Sequence, residues 1–147
     1  MRSGVNLANS VRVLVVDDYE PFRRIVVSQL QKQPELVIAE ASDGFEAVQK
    51  AKELQPDLIL LDLGLPNLNG IEAARQIRQL SPKSKILFLS EYRSADIAEV
   101  ALNTGAGGYV VKSDGTRDLS VAVDAVLKGE QFLSANLVGE VNVSSHT

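Results

Sequence analysis

The chain has no cysteine, no tryptophan and a single histidine, His146. Without thiols there is no disulfide framework, thiolate metal site, thiol nucleophile or iron–sulfur cluster. One histidine, in the polar ending VSSHT, also makes a histidine-rich metal site or a Ser-His-Asp arrangement within the fold improbable. It reads as an incidental terminal residue rather than a phosphohistidine relay. Basic runs are missing too, and the formal net charge is -4, so the chain would repel a phosphate backbone and direct nucleic-acid binding by it is disfavoured. Apolar strings such as 58–61 are far too short to span a bilayer, and the opening MRSGVNLANS lacks the apolar segment of a secretion signal. The expected location is the cytoplasm, with no membrane association. No Gly-Lys-Ser/Thr follows an apolar run, which excludes a nucleotide-binding P-loop.

What is present is ordinary globular material. The 147 residues are 45% hydrophobic and 23% charged, which suits one domain with a proper core. Five short runs rich in Val, Ile and Leu alternate with stretches of helical period: 11–16 (VRVLVV), 36–40 (LVIAE), 58–61 (LILL), 86–89 (ILFL) and 108–111 (GYVV). This is the pattern of repeated βαβ units. The third and fourth runs are apolar throughout, as parallel strands covered on both faces are. The expectation is a (βα)5 α/β domain with helices on both sides of one sheet.

Helix punctuation agrees. Asp43-Gly44-Phe45-Glu46 and Asn69-Gly70-Ile71-Glu72 read as capping boxes. Pro21 suits the first turn of a helix running to about residue 33, with Phe22, Ile25, Val26 and Leu30 on one face. Ser94 opens a helix with an Ile97, Ala98, Ala101, Leu102 stripe, and Gly105 closes it. The last helix is expected over about 117–128 with a Leu119, Ala122, Val123, Val126 stripe; Val121 and Ala125 lie off the stripe and widen the apolar surface. Residues 1–10 form a lead and 130–147 a tail. The tail's Phe132, Leu133, Leu137, Val138, Val141 and Val143 are too apolar for a solvated linker and suggest a short extra helix.

In an open parallel sheet the ligand site lies beyond the carboxyl ends of the strands. Asp17 and Asp18 follow the first run, Asp62 the third, Ser90 the fourth and Lys112 the fifth. Taken singly these residues suit turns, caps and exposed surface, and Tyr109 suits the core. Their coincidence at one sheet edge is what points to chemistry. Three crowded carboxylates need a cation: Lys112 can pair with Asp62, and a hard divalent ion with retained waters, Mg2+ rather than Ca2+, suits the carboxylate oxygens. A carboxylate beside such an ion is set up to attack phosphorus, with Lys and Ser taking the remaining phosphoryl oxygens. Asp62 is the candidate nucleophile, and the product would be an aspartyl phosphate.

The motifs VRVLVVDD, LILLDLGLPNLNG, ILFLS and GYVVKSD, spread over residues 11–129, resemble the receiver domains of bacterial two-component response regulators. The resemblance implies a flavodoxin-like three-layer sandwich with strand order 2-1-3-4-5. It implies that Asp62 accepts a phosphoryl group from the phosphohistidine of a sensor kinase or phosphotransfer protein. Asp17, Asp18, Asp62 and the carbonyl of Gly64 would hold Mg2+, and Lys112 would contact the phosphoryl group. In such domains Ser90 moves toward the new phosphoryl oxygen and Tyr109 turns inward, altering the surface of the fourth helix, fifth strand and fifth helix, where a homodimer could form. The KSD run and GEQFLS resemble the NarL/FixJ-type subfamily, whose receivers precede a helix-turn-helix domain acting in transcription regulation. That output domain is absent from this sequence.

Two positions depart from the common pattern. Ser113 stands where many receivers have Pro, so no cis peptide is expected there. Glu91 follows Ser90 where a small residue is usual, which disfavours entry of small phosphodonors. The leading expectation is a phosphoacceptor of a phosphorelay rather than a turnover enzyme. The alternative is a receiver-like module that docks or dimerises unphosphorylated. A metabolite phosphatase would want a second Asp two residues after the nucleophile, where Gly64 stands.

Overall fold

All five apolar runs are strands: β1 (Val11–Val16), β2 (Leu36–Ala41), β3 (Leu58–Asp62), β4 (Lys85–Ser90) and β5 (Gly108–Val111). This is a computed structural model, which describes residues 10–134 and Leu137. Helices α1 (Glu20–Leu30), α2 (Gly44–Leu54), α3 (Gly70–Leu80), α4 (Ala95–Leu102) and α5 (Lys112–Leu127) alternate with the strands, and a two-residue strand, β6 (Phe132–Leu133), follows. Every pairing is parallel, in the order β2-β1-β3-β4-β5-β6. The fold is the expected flavodoxin-like one with one strand added.

The alternation of strand side chains divides the core in two. Leu14, Val16, Ile59, Leu61, Ile86, Phe88, Tyr109 and Val111 pack with small residues of α2, α3 and α4, including Ala47, Ala73 and Ala98. Val13, Val15, Leu58, Leu60, Leu87, Leu89 and Val110 pack with Val26, Leu30, Leu119, Val123 and Val126 of α1 and α5. Burying both faces is why 58–61 and 86–89 carry no polar residue.

Several local expectations need correction. In α1, Ile25 is exposed, and the inward face is Val26 and Leu30 with Phe22 and Val27 packed at its margin. Helix α5 begins at Lys112 rather than near 117. Ser113, Asp114 and Gly115 read as turn formers, yet an acidic residue in a first turn also offsets the helix dipole, and Asp114 holds that position. Asp43 accepts from the Glu46 amide at 2.8 Å, while Glu46 reaches back to the Ser42 amide at 2.8 Å. Asn69 accepts from the Glu72 amide at 3.0 Å, but Glu72 pairs with Arg75 at 3.3 Å instead of closing the box. Phe132 and Leu133, placed in an apolar tail that suggested a helix, form β6 along β5. Leu137 is buried in the α2–α3–α4 side of the core. Residues 1–9, Val138, Val141, Val143 and His146 lie outside the described residues. The Lys112–Ser113 peptide is trans, as are all others described. No helix among the described residues is long and apolar enough to cross a membrane.

Gly70 sets how closely α3 meets the end of β3. A Cβ there would lie 2.2 Å from the Asp62 carbonyl oxygen and 2.8 Å from Leu63 Cα, and the Gly70 amide donates to the Leu63 carbonyl at 2.9 Å. Since backbone cannot yield as a flexible side chain does, Gly70→Ala is expected to cost roughly 3 kcal/mol in urea unfolding. A loss within error of zero would show that α3 can shift freely against β3.

Candidate functional site

The ends of β1, β3, β4 and β5 form one rim of the sheet, and a cleft of about 390 Å³ opens there, lined by Asp17, Asp18, Tyr19, Asp62, Gly64, Glu91, Tyr92 and Lys112. Asp17 and Asp62 are buried, whereas Asp18 is exposed. One carboxylate oxygen from each of the three lies within 4.8 Å of the others.

Lys112 spans the cluster. Its Nζ is 3.4 Å from Asp62 Oδ2, the pairing the sequence suggested, and closer still, 2.7 Å, to Asp17 Oδ2. Asp17 Oδ2 is buried and makes no aligned hydrogen bond; its approach to Lys112 is a charge contact. Asp17 Oδ1 accepts from the Tyr19 amide at 2.9 Å, and the Asp17 carbonyl accepts from Arg23 Nη1 at 2.6 Å. Phe22 lies beneath the ammonium, its ring centroid 4.8 Å from Nζ, within cation–π range.

Burial pushes the Asp62 carboxyl pKa above the ordinary value, with the neighbouring Asp17 charge adding to the rise and Lys112 opposing it. For Lys112 burial works downward, but contact with Asp17 and the two carboxylate charges outweigh it, so its ammonium is held more firmly than usual. Asp17 Oδ2 is therefore an acceptor with capacity to spare beside two further carboxylates. Such a hard-oxygen set fits a divalent cation of the Mg2+ type, and Gly64 lines the same cleft, its amide 3.4 Å from Asp62 Oδ1.

Ser90 and Tyr109 belong to the other face of the sheet. Ser90 is fully buried and its Oγ accepts from the Tyr92 amide at 3.0 Å. Tyr109 is also fully buried, with its hydroxyl donating to the Tyr92 carbonyl at 2.6 Å, and burial raises its pKa. The inward turn expected of Tyr109 belongs to the phosphorylated state; in this structure the ring is already buried. The Tyr92 peptide is thus gripped at both ends. Arg93 ties the same loop to α5, through Ser113 Oγ at 2.9 Å and Asp114 Oδ1 at 3.1 Å.

Phe22, Arg23 and Arg93 went unnoticed as site-supporting residues. Phe22 and Arg23 carried a signal, since both lie within one or two helical turns of Asp17-Asp18; Arg93 carried none, because its partner is twenty-one residues away.

Residues 13–124 match the family described as response regulator receiver domain. The chain belongs to that family. Among curated relatives, it is 38% identical over 132 residues to the transcriptional regulatory protein LiaR of Bacillus subtilis, covering 89% of this chain and 63% of LiaR. It is 35% identical over 126 residues to the transcriptional regulatory protein DegU of Brevibacillus brevis, covering 85% and 53%. It therefore spans less than two thirds of the length of these relatives. Among solved structures, a LuxR-family two-component response regulator from Aurantimonas sp. SI85-9A1 superposes with a TM-score of 0.84 at 34% identity, covering 90% of this chain and 95% of that one. The signal receiver domain of the putative response regulator NarL from Mycobacterium tuberculosis gives 0.77 at 32%, covering 83% and 99%. The acidic cleft of this receiver domain fits a phosphorylation site.

Two substitutions test the electrostatics, the first with divalent ions chelated and the second with and without Mg2+. The folded receiver domain holds the Asp62 proton more tightly than the unfolded chain does. Asp62 therefore contributes stability at acid pH that is lost as pH rises through its folded-state pKa. Asp62→Asn is expected to stabilise the protein at neutral pH by roughly 1 kcal/mol, with the gain fading as the pH is lowered. Destabilisation at neutral pH would mean that the Lys112 contact outweighs burial. Lys112→Met leaves two buried carboxylates without their cation and is expected to cost roughly 3 kcal/mol, partly recovered on adding Mg2+; thermal unfolding with and without the ion reads both.

Proposed function

We propose that Asp62 is the phosphoacceptor of a two-component signalling pathway in the cytoplasm, receiving its phosphoryl group from the phosphohistidine of a sensor kinase or phosphotransfer protein. The observation that carries this reading is Lys112 Nζ, 2.7 Å from Asp17 Oδ2 and 3.4 Å from Asp62 Oδ2, at the floor of an open cleft. An Asp62 carboxylate oxygen attacks phosphorus, the bond from phosphorus to the donor imidazole nitrogen breaks, and an aspartyl phosphate forms. Asp17, Asp18 and Asp62, with the Gly64 carbonyl, would hold Mg2+, which when bound neutralises charge on the transferring group. Lys112 exchanges part of its carboxylate contact for a phosphoryl oxygen. The raised pKa of Asp62 makes it a better nucleophile than an exposed Asp once ionised.

Ser90 has a hydroxyl proton to donate while its oxygen accepts from the Tyr92 amide, so a bond to the phosphoryl group would pull on the peptide that also holds Tyr109. New charge-assisted bonds of this kind bias a two-state equilibrium. The surface that follows is that of α4, β5 and α5, where Val100 and Val121 are exposed apolar side chains available to a partner or a second copy. The protein acts as a signalling phosphoacceptor, promoting only its own phosphorylation and dephosphorylation. DNA would be reached only through an output domain, as the names of LiaR and DegU as transcriptional regulatory proteins suggest.

Intact mass after incubation with Mg2+ and either a small phosphodonor or a phosphorylated histidine kinase tests the reading. The expected outcome is a labile gain of one phosphoryl group in the wild type and none in Asp62→Asn, with the kinase faster because the exposed Glu91 stands at the cleft mouth. No gain from any donor by the folded protein would favour an unphosphorylated docking module.

A further inference from the structure

The short strand β6 bears on the site through one side chain. β5 has β4 on one side, and on the other its backbone groups would face an open edge. β6 covers them: the Phe132 amide donates to the Gly107 carbonyl at 3.0 Å and the Ser134 amide to the Tyr109 carbonyl at 3.1 Å. The next rung would need the Ser134 carbonyl to accept from the Val111 amide. That carbonyl instead turns to accept from the Leu137 amide at 2.9 Å. The Ser134 hydroxyl takes its place, accepting from the Val111 amide at 2.8 Å, and Ser134 is fully buried. A side chain thus completes the ladder at the last residue of β5, where the chain passes into α5.

That residue precedes Lys112. In the strand order, β5 is separated from β3 by β4 and from β1 by β4 and β3. With strands about 4.8 Å apart, the backbone of Lys112 stands roughly 10 Å from that of Asp62 and roughly 14 Å from that of Asp17. Opposing side chains must be nearly extended to close such gaps, so there is little slack in Lys112, and a small drift of its backbone breaks the contact with Asp17. The geometry points to Ser134 as a positioning residue for Lys112: by holding the Val111 amide it fixes the corner from which the ammonium reaches the carboxylates. The inference rests on the phosphoacceptor reading for its effect on phosphorylation, but not for its effect on Lys112.

The experiment uses the full chain and four proteins: the wild type, Ser134→Ala, Ser134→Thr, and Ala51→Gly in α2 as a variant destabilised away from the site. Each is kept below its unfolding midpoint. The first readout is the rate of labelling of Lys112 by an amine-reactive ester, located by peptide mass; the second is the rate of phosphoryl gain with Mg2+ and a phosphorylated kinase. Ser134→Ala should label Lys112 several-fold faster and gain phosphate roughly tenfold more slowly, the usual size of a lost supporting hydrogen bond. Ser134→Thr, which keeps the hydroxyl, and Ala51→Gly should resemble the wild type. Unchanged Lys112 labelling in Ser134→Ala, or equal changes in Ala51→Gly, would overturn the role assigned to Ser134. A wild type that gains no phosphate would sink the phosphoacceptor reading alone, leaving the labelling to decide on Ser134. Should Ser134→Ala not fold, amide exchange in the wild type decides: Val111 must be protected as strongly as Val110, and rapid exchange at Val111 overturns the proposal.

Discussion

A half-buried lysine facing two buried carboxylates is the contact on which the rest of this receiver domain turns. Lys112 comes from the far end of the site and meets Asp17 and Asp62 across intervening strands. Lys112 keeps its charge because contact with Asp17 and the two carboxylate charges outweigh burial, and in return it offsets part of the burial cost at Asp62. The surrounding structure serves to keep them in range: Arg23 and the Tyr19 amide hold Asp17, Phe22 underlies Nζ, Gly70 lets α3 close against the carbonyl of Asp62, and Ser134 completes the strand behind Lys112.

The parity of the strands separates acceptor from relay. Asp17, Asp62 and Lys112 continue the strand positions that face α1 and α5, while Ser90 and Tyr109 continue those that face α2, α3 and α4. A group arriving at the rim of the sheet can be bound from one side and sensed from the other. The Tyr92 peptide joins the two sides, because its amide and carbonyl are held by Ser90 and Tyr109 while Tyr92 itself lines the cleft.

The strands and the rim residues were legible in the sequence because each rests on a strong local signal, apolar runs followed directly by polar residues, whereas the strand order came from the resemblance to receiver domains. What was not legible depends on non-local geometry. The closer pairing of Lys112 with Asp17 requires knowing how far each side chain reaches. β6 has only two residues, too few for any period, and forms because β5 offers open backbone groups. The early start of α5 was hidden by Ser113, Asp114 and Gly115, residues that suit a turn as well as a first helical turn. Ile25 was placed inward by its apolar character, whereas Val27 lies at the packed margin and Ile25 remains in solvent.

The order of strands in space also imposes an order in time on a chain made from its N-terminus. β2, β1 and β3 are neighbours in the sheet and are all encoded by residue 62, so Asp17, Asp18 and Asp62 are synthesised before any part of β4, β5 and β6. Lys112, which contacts two of them, follows only with the end of β5. The ammonium on which the cluster turns is thus the last of its charges to be made, and it is carried by the element that closes the far side of the site.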